Sequence, residues 1–187
     1  MGQFYYTIAS LPMLSYDEHP VLKVADYLAD CHKWLKPAEW DLFSSASLIP
    51  DSRMESESSV ADEFRKWEIS LRNELVLLRA SAMGLDAEEF IEKSERYPDT
   101  ASLASHAFKQ ESPMDAEDAL NRGRWQFLEN LKVGHFFDLD FLILYSLQLQ
   151  ILERKSCFDE ETGFARYQEI YQNILNQMDD DAVGEQE

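Results

Sequence analysis

The stretch WEISLRNELVLLRASAMG, residues 67–84, decides the fold of this chain. Its apolar residues recur every three or four positions, a spacing that gathers them on one face of an α-helix. Gly84 predicts where this helix ends, and Ser58 or Ser59 predicts the residue that caps its start. The apolar face expected to point inward consists of Val60, Phe64, Trp67, Leu71, Leu75, Leu78 and Ala82.

Charged and polar residues interrupt the same helix beside its apolar stripe. Glu68, Arg72, Val76 and Arg79 share one face, since successive members are four, four and three positions apart. Elsewhere, Arg124 falls within an apolar stripe and Arg154 ends a highly apolar segment. Because an unpaired buried charge costs several kcal/mol, such arginines need carboxylate partners. We interpret these groups as an internal polar network in preference to an anion-binding site; its predicted members are Glu68, Arg72, Asn73, Arg79, Arg124, Asp138 and Arg154.

Helical patterns also occupy most of the remaining chain. One segment, residues 138–158, is apolar on nearly every side and is therefore expected at the centre of a bundle. The last segment, residues 161–178, is expected to bury Phe164, Tyr167, Tyr171, Ile174 and Met178. The four tryptophans, Trp34, Trp40, Trp67 and Trp125, are expected to be core residues. The other predicted helices cover residues 21–35 (opened by Pro20), 37–46, 86–94, 99–110 and 112–131.

These patterns predict an all-α protein built as a single multi-helix bundle. With 187 residues, 45% of them hydrophobic, the chain is long enough for one domain with a sizeable core. We expect the helical domain to cover residues 1–178, with a polar linker at about 48–59. Residues 179–187 form an acidic tail with no apolar stripe to pack, and we expect it to be disordered.

The formal net charge of -19 limits the classes of partner. Such a field repels nucleic acid and anionic lipid, and favours docking on a basic protein surface. The longest uncharged apolar run, residues 141–152, is much shorter than the about 20 residues that a membrane span needs. No secretory signal pattern begins the sequence. Cys31 and Cys157 suit two buried or surface thiols in a reducing compartment, so we expect a cytoplasmic protein.

Catalytic motifs do not emerge from the sequence. No phosphate-binding loop, nucleophile elbow, dinucleotide fingerprint or zinc-protease motif is present, so we expect neither an enzyme nor a cofactor. One cluster, His135, Asp138 and Asp140, has side chains able to ligate a metal. Asp138 also stands just before the apolar segment, where a carboxylate caps a helix. We favour the cap and predict no metal site.

The aromatic start of the chain, FYYTIASLPML at residues 4–14, has no amphipathic period that accounts for it. An exposed apolar patch of this kind marks a docking surface. We therefore regard it as a candidate partner-binding segment, with contacts from Phe4, Tyr5, Tyr6, Leu11 and Leu14.

The segment LRNELVLLRASAMGLDAEEFIE, residues 71–92, resembles the L-R-N-x-L…L-L-R-A…G…E-E signature of the C subunit of V/A-type ATPases, called d in eukaryotes. Residues 136–158, where an acidic residue precedes an apolar helix with a basic end, are similar to helices of that subunit. The opening FYYTIASLPMLS, residues 4–15, resembles a family of uncharacterised bacterial proteins encoded beside V-type ATPase subunits. The matching positions in the first segment are Leu71, Arg72, Asn73, Leu75, Leu78, Arg79, Ala80, Gly84, Glu88 and Glu89.

The resemblance implies a non-catalytic accessory or central-stalk subunit of a bacterial V-type ATPase. Its expected partners are the rotor shaft and the membrane ring, to which it would be peripherally bound at the inner membrane. The chain is too short for the three helical repeats of the C subunit, so it would correspond to only part of that protein. The alternative is a cytosolic helical chaperone or assembly factor for a multisubunit complex.

Overall fold

The computed structural model describes residues 4–49, 58–158, 163–164, 166–172 and 174. Within these residues every regular element is helical and none is a strand, which confirms the all-α fold class. The chain divides into two compact units, Met1–Lys155 and Ser156–Glu187. The predicted tail at 179–187 and the central part of the predicted linker lie outside the described residues. The proposed domain boundary near residue 178 therefore stays a prediction.

The helices with assigned bounds follow the sequence patterns in order. The long α4 begins after Ser58, whose hydroxyl accepts a hydrogen bond from the backbone of Ala61 at 3.4 Å. It ends at Gly84, whose φ of 67° lies in the left-handed region that favours glycine. The elements are α1 (Tyr5–Ala9), α2 (Val24–Trp34), α3 (Pro37–Ser44), α4 (Ser59–Met83), α5 (Pro98–Phe108), α6 (Pro113–Leu131) and α7 (Leu139–Ser156).

The core of the first unit forms around α7, as its apolar sequence predicts. The residues of α7 from Leu142 to Leu149 are all buried, whichever side of the helix they occupy. Trp67 of α4 stacks on Phe127 of α6 with ring centroids 4.6 Å apart. The hydroxyl of Tyr27, from α2, donates to the carbonyl oxygen of Leu142 at 3.0 Å. Among the described helices, none combines the length and apolarity needed to cross a membrane.

A glycine permits the close approach of α5 and α6. A Cβ atom at Gly123 would lie 2.2 Å from a side-chain carbon of Leu103. α5 also packs on α4, where the hydroxyls of Ser70 and Thr100 are 3.0 Å apart and both buried. α5 therefore packs closely against both α4 and α6.

Three details of the first unit differ from the sequence predictions. Residues 86–94 form turns and extended chain instead of a helix, because the backbone of Glu92 is hydrogen-bonded to the side chain of Asn73. α2 begins at Val24, so Pro20 precedes the helix without opening it. Ala82 and Trp34 are exposed, since both lie near helix ends that project beyond the core.

The prediction of a buried face on the last helix is wrong for the residues that the structure describes. Phe164, Tyr167, Tyr171 and Ile174 are each at least half exposed. The three aromatic rings stack along the helix, with centroids 6.5 and 6.2 Å apart. The described part of the second unit contains no other helix on which this stripe could pack. Met178 lies outside the described residues.

Candidate functional site

A fully buried carboxylate lies where the sequence predicts the polar network. Glu68, on α4, has no exposed surface. Arg124, on α6, donates from Nε to Glu68 Oε2 at 2.9 Å and from Nη2 to Oε1 at 3.1 Å. The fork of the guanidinium thus matches both oxygens of the carboxylate, the geometry that gives the strongest charge-assisted hydrogen bonds. This pair joins two helices that the sequence separates widely.

Arg72 approaches the same carboxylate from the side facing solvent. Its Nε donates to Glu68 Oε1 at 2.9 Å, one helical turn away on α4. Its Nη2 donates to the carbonyl oxygen of Leu48 at 3.4 Å, in the segment that follows α3. Arg72 therefore connects the buried pair to the chain preceding α4.

A second carboxylate, Glu117, extends the network to α7. Its Oε1 accepts from Arg124 Nη1 at 3.3 Å and lies 2.8 Å from Arg154 Nη2. The charges therefore alternate in an order that we call the arginine chain: Arg72, Glu68, Arg124, Glu117, Arg154. It links α4, α6 and α7 through side chains alone. Glu117 cannot be predicted as a member from the sequence, because nothing in its helical position distinguishes it from an ordinary surface glutamate.

The two carboxylates keep the central arginine charged. Burial alone would lower the pKa of the Arg124 guanidinium, but the Glu68 and Glu117 carboxylates raise it above its ordinary value. Asn121 Oδ1 accepts another hydrogen bond from Arg124 Nη1 at 2.9 Å. The Nδ2 of Asn121 is buried and has no hydrogen-bond partner among the described residues. With three guanidinium groups and two carboxylates, the arginine chain carries one excess positive charge.

Three predicted members of the network, Asn73, Arg79 and Asp138, lie outside the arginine chain. The Nδ2 of Asn73 donates to the carbonyl oxygen of Glu92 at 2.7 Å, while its Oδ1 accepts from the Glu92 backbone at 2.9 Å. Asn73 therefore holds the extended chain after α4. Arg79 is exposed beside a cleft of about 190 Å³ near the start of α6. It makes no hydrogen bond or ion pair with a described residue, so its inclusion in an internal network is wrong.

Asp138 is a helix cap, as the sequence predicts, and belongs to a separate cluster. Its Oδ1 accepts from the backbone of Phe141 at 2.8 Å, and its Oδ2 lies 2.8 Å from His135 Nδ1. Asp140 instead accepts from the Ser58 hydroxyl at 3.1 Å. Both carboxylates therefore accept hydrogen bonds from other described residues. Across the described part of the chain, no three His, Cys, Asp or Glu side chains are grouped to hold a metal ion.

The predicted partner-binding segment divides into partly buried and exposed residues. Phe4, Leu11 and Leu14 are partly buried and pack against the core, so they offer less surface to a partner than their exposed neighbours. Tyr5 and Tyr6 are exposed, and their rings meet edge to face at 5.5 Å.

Aromatic residues from another part of the chain extend this exposed pair. The ring centroid of Tyr5 lies 4.9 Å from that of Phe137, in the turn between α6 and α7. Phe136 and Val133 in the same turn are exposed as well. We call Tyr5, Tyr6, Phe136 and Phe137 the aromatic surface. The sequence predicts Tyr5 and Tyr6 as members of this surface. It does not predict Phe136 and Phe137, because tertiary packing brings their turn to the N-terminal segment.

Tyrosine hydroxyls anchor the N-terminal segment to the bundle. The Tyr145 hydroxyl, on α7, donates to the carbonyl oxygen of Pro12 at 2.9 Å. The Tyr16 hydroxyl donates to Asp118 Oδ1 on α6 at 2.8 Å. Lys155 Nζ donates to the Tyr16 carbonyl oxygen at 3.0 Å. The aromatic surface is thus presented on a fixed segment of the fold.

Comparison with known proteins gives one match. Residues 86–182, more than half of the chain, match a family described as a protein of unknown function (DUF2764). No curated protein and no solved structure matches the chain. The matched region includes α5, α6 and α7, and therefore three of the five members of the arginine chain.

Proposed function

The chain belongs to the DUF2764 family of proteins of unknown function, and we propose that it is a non-catalytic accessory or central-stalk subunit of a bacterial V-type ATPase. In this role it docks or couples the rotor shaft to the membrane ring and is peripherally bound at the membrane. The resemblance of residues 71–92 and 4–15 to proteins of that system supplies the identity of the complex.

The observation that carries the non-catalytic role is the arginine chain. Each of its two carboxylates pairs with two guanidinium groups. The charges of the arginine chain therefore join helices to one another. A subunit that transmits torque benefits from rigid connections between its helices. The alternating charges, of which Glu68 and Arg124 are buried, oppose the sliding of α4 against α6, because a displacement would separate buried charges that are costly to leave unpaired. The partly exposed Glu117 and Arg154 extend this connection to α7.

The aromatic surface supports the docking part of the proposal. Tyr6 and Phe136 are 76% and 66% exposed, and large side chains exposed in one patch are typical of protein interfaces. The net charge of -19 favours a partner with a basic surface. Both features suit a connecting subunit that meets another protein through a limited contact area.

The decisive experiment is affinity isolation of the full chain, tagged at its native expression level, from gently solubilised membranes. We expect recovery of shaft and ring subunits of the ATPase in fixed stoichiometry. The double variant Tyr6→Ser/Phe137→Ser is expected to lose them, while the matched control Phe108→Ser, an exposed aromatic residue on α5, keeps them. Recovery of no ATPase subunit with the unaltered chain would exclude the proposal.

A second candidate is an assembly factor, and the exposed stripe on the last described helix favours it. Phe164, Tyr167 and Tyr171 form an aromatic row that the described residues of the second unit leave uncovered. Chaperones hold incomplete partners through such faces. Presence of the protein on incomplete complexes, together with its absence from the mature enzyme, would establish this role in place of the stalk role.

A further inference from the structure

A cleft between α1 and α2 has a chemical character that the proposed function does not use. Its volume is about 380 Å³, at the lower end of the range for small-ligand sites. Its floor includes the buried residues Tyr27 and Cys31, and partly buried Leu11 and Leu22 form its walls. It therefore offers an apolar recess with room for one long side chain.

Two exposed aromatic rings and one carboxylate define the rim of this cleft. Tyr6 and Trp34 are 76% and 69% exposed, although large aromatic side chains are normally packed. Asp30 lies on the same helix as Trp34, four positions earlier, and so on the same face. A cation between aromatic faces and a carboxylate gains both a cation–π contact and an ion pair.

The polar groups at the rim retain hydrogen-bonding capacity. Asp30 Oδ1 accepts from Lys33 Nζ at 2.7 Å, in a pair whose side chains are both more than 60% exposed. Exposed pairs of this kind contribute little to stability and exchange readily. Asp30 Oδ2 and the indole nitrogen of Trp34 have no hydrogen-bond partner among the described residues. The Tyr27 hydroxyl, in contrast, is already bonded to Leu142.

We propose that this cleft binds an arginine side chain presented by a partner protein. The planar guanidinium stacks on the Trp34 indole and Tyr6 ring, its fork meets the Asp30 carboxylate, and its methylene groups lie over Leu11. Arginine fits better than lysine, because a guanidinium is planar, stacks on aromatic faces and is more weakly hydrated. An anionic ligand is disfavoured by Asp30 and by the net charge of -19.

The aromatic surface indicates that the arginine belongs to a protein segment. Tyr6 belongs both to the rim of the cleft and to this surface, which continues through Tyr5 to Phe137. A segment with an arginine in the cleft can therefore place apolar side chains along the adjacent aromatic surface. This interface is defined by its own chemistry and does not depend on the partner being an ATPase subunit.

The test uses the full chain and two synthetic probes, acetyl-Leu-Gly-Arg-Gly-amide and its citrulline counterpart. Citrulline keeps the planar group and its length but removes the charge. Binding is followed through the indole N–H signal of Trp34 in ¹H–¹⁵N spectra, assigned by its loss in Trp34→Phe. We expect the arginine probe to shift this signal and to bind about three- to tenfold more tightly than the citrulline probe.

Matched variants locate the site. Asp30→Asn is expected to abolish the preference for arginine over citrulline, because the carboxylate is lost while the shape is kept. Lys33→Gln removes the competing cation and is expected to tighten binding of the arginine probe severalfold. Asp26→Asn, an acidic residue of α2 outside the cleft, serves as control and is expected to leave the preference unchanged.

Three results would overturn the proposal. They are equal affinity for the two probes, an unchanged preference in Asp30→Asn, and the absence of any shift of the Trp34 signal at saturating probe. All variants lie at exposed positions, and a native circular dichroism spectrum checks that each is folded. Recovery of ATPase subunits in the isolation experiment is a separate readout, so either proposal can fail alone.

Discussion

Arg124 on α6 and Glu68 on α4 form a two-fold hydrogen-bonded ion pair across 56 residues of sequence, with N···O distances of 2.9 and 3.1 Å. Both side chains are almost fully buried. Removing charges from water costs several kcal/mol per ion, so this pair stabilises the fold only while both partners are present. Replacing one partner therefore tests how strongly this ion pair holds α4 and α6 together.

Glu68→Gln is expected to lower the free energy of unfolding by about 3–5 kcal/mol. The amide loses the negative charge, and the buried Arg124 guanidinium is left with only Glu117 as a charged partner. Urea denaturation followed by circular dichroism measures the change. The matched control is Glu74→Gln on the same helix, which pairs with the exposed Arg96 and should change stability by less than about 1 kcal/mol. Equal losses of stability in Glu68→Gln and Glu74→Gln would show that burial of the Glu68 carboxylate does not determine the size of the effect.

Replacing both partners is expected to restore much of the stability lost by replacing one. Glu68→Met combined with Arg124→Met removes both buried charges and fills the space with flexible apolar chains. We therefore expect the double variant to be more stable than the sum of the two single changes predicts, by about 1–3 kcal/mol. A full double-mutant cycle in urea measures this coupling energy. Additive single effects would mean that the two side chains act independently.

Asn121→Asp is expected to leave stability unchanged or to raise it slightly. The substitution removes the buried Nδ2 that has no hydrogen-bond partner among the described residues, and an unsatisfied buried donor costs about 1–3 kcal/mol. It also places a third carboxylate beside Arg124, in a network that carries one excess positive charge. Thermal unfolding compares this variant with Asn121→Leu, which removes the orphan donor but also the acceptor for Arg124. A large loss in Asn121→Asp would show that the arginine chain does not tolerate another negative charge.

Much of this fold can be predicted from local patterns. The bounds of the long α4 can be predicted because both signals act within one turn, Ser58 through its side-chain hydroxyl and Gly84 through its left-handed backbone. The central position of α7 can be predicted because a helix that is apolar on all sides has no stable position elsewhere. The position of Arg124 in an apolar stripe also predicts its burial.

The remaining features depend on contacts between distant residues. Glu117 joins the arginine chain only because α7 brings Arg154 within 2.8 Å of it. Residues 86–94 have a helical composition, but Asn73 holds the Glu92 backbone in another conformation. The sequence predicts Trp34 in the core, but the side chain is exposed at the end of α2. Periodicity shows which face of a helix is apolar, but not how far along the helix the core extends.

Stability is expected to fall at alkaline pH as buried acidic groups ionise, among them Cys31 and Tyr145. Burial raises the pKa of the Cys31 thiol from 9.0 to about 11 and that of the Tyr145 hydroxyl from 10.0 to about 12. A raised folded-state pKa favours the protonated native form. Its contribution is fully present below the unfolded-state pKa and is lost as pH rises through the folded-state value. The relevant windows are therefore pH 9.0 to 11 for Cys31 and pH 10.0 to 12 for Tyr145.

Variants separate the two contributions in urea unfolding at a series of pH values. Cys31→Ala is expected to flatten the decline in the lower window, and Tyr145→Phe the decline in the upper one. The exposed Cys157 provides the control, since Cys157→Ala should leave the slope unchanged. An identical alkaline decline in all four proteins would mean that other groups control it.

Asn73→Ala is expected to release the extended chain after α4 with a small effect on global stability. Asn73 holds Glu92 by two hydrogen bonds, one through the carbonyl oxygen and one through the backbone N–H, and its Nδ2 is 3.1 Å from the Ser94 hydroxyl. Each bond contributes about 0.5–1.5 kcal/mol. Because few buried contacts hold Phe90 and Ile91, which are both exposed, the loss should appear as local opening.

Hydrogen exchange of the backbone amides measures this opening residue by residue. The Glu92 amide should exchange at least about tenfold faster in Asn73→Ala, the factor that corresponds to about 1.4 kcal/mol. Amides in the middle of α7 should keep their protection, since they exchange only through opening of the core. Asn130→Ala, which removes only an exposed contact with Gln126 on α6, is the matched control and should leave the Glu92 amide unchanged. Equal acceleration of the Glu92 and α7 amides in Asn73→Ala would show instead that this asparagine supports the whole bundle.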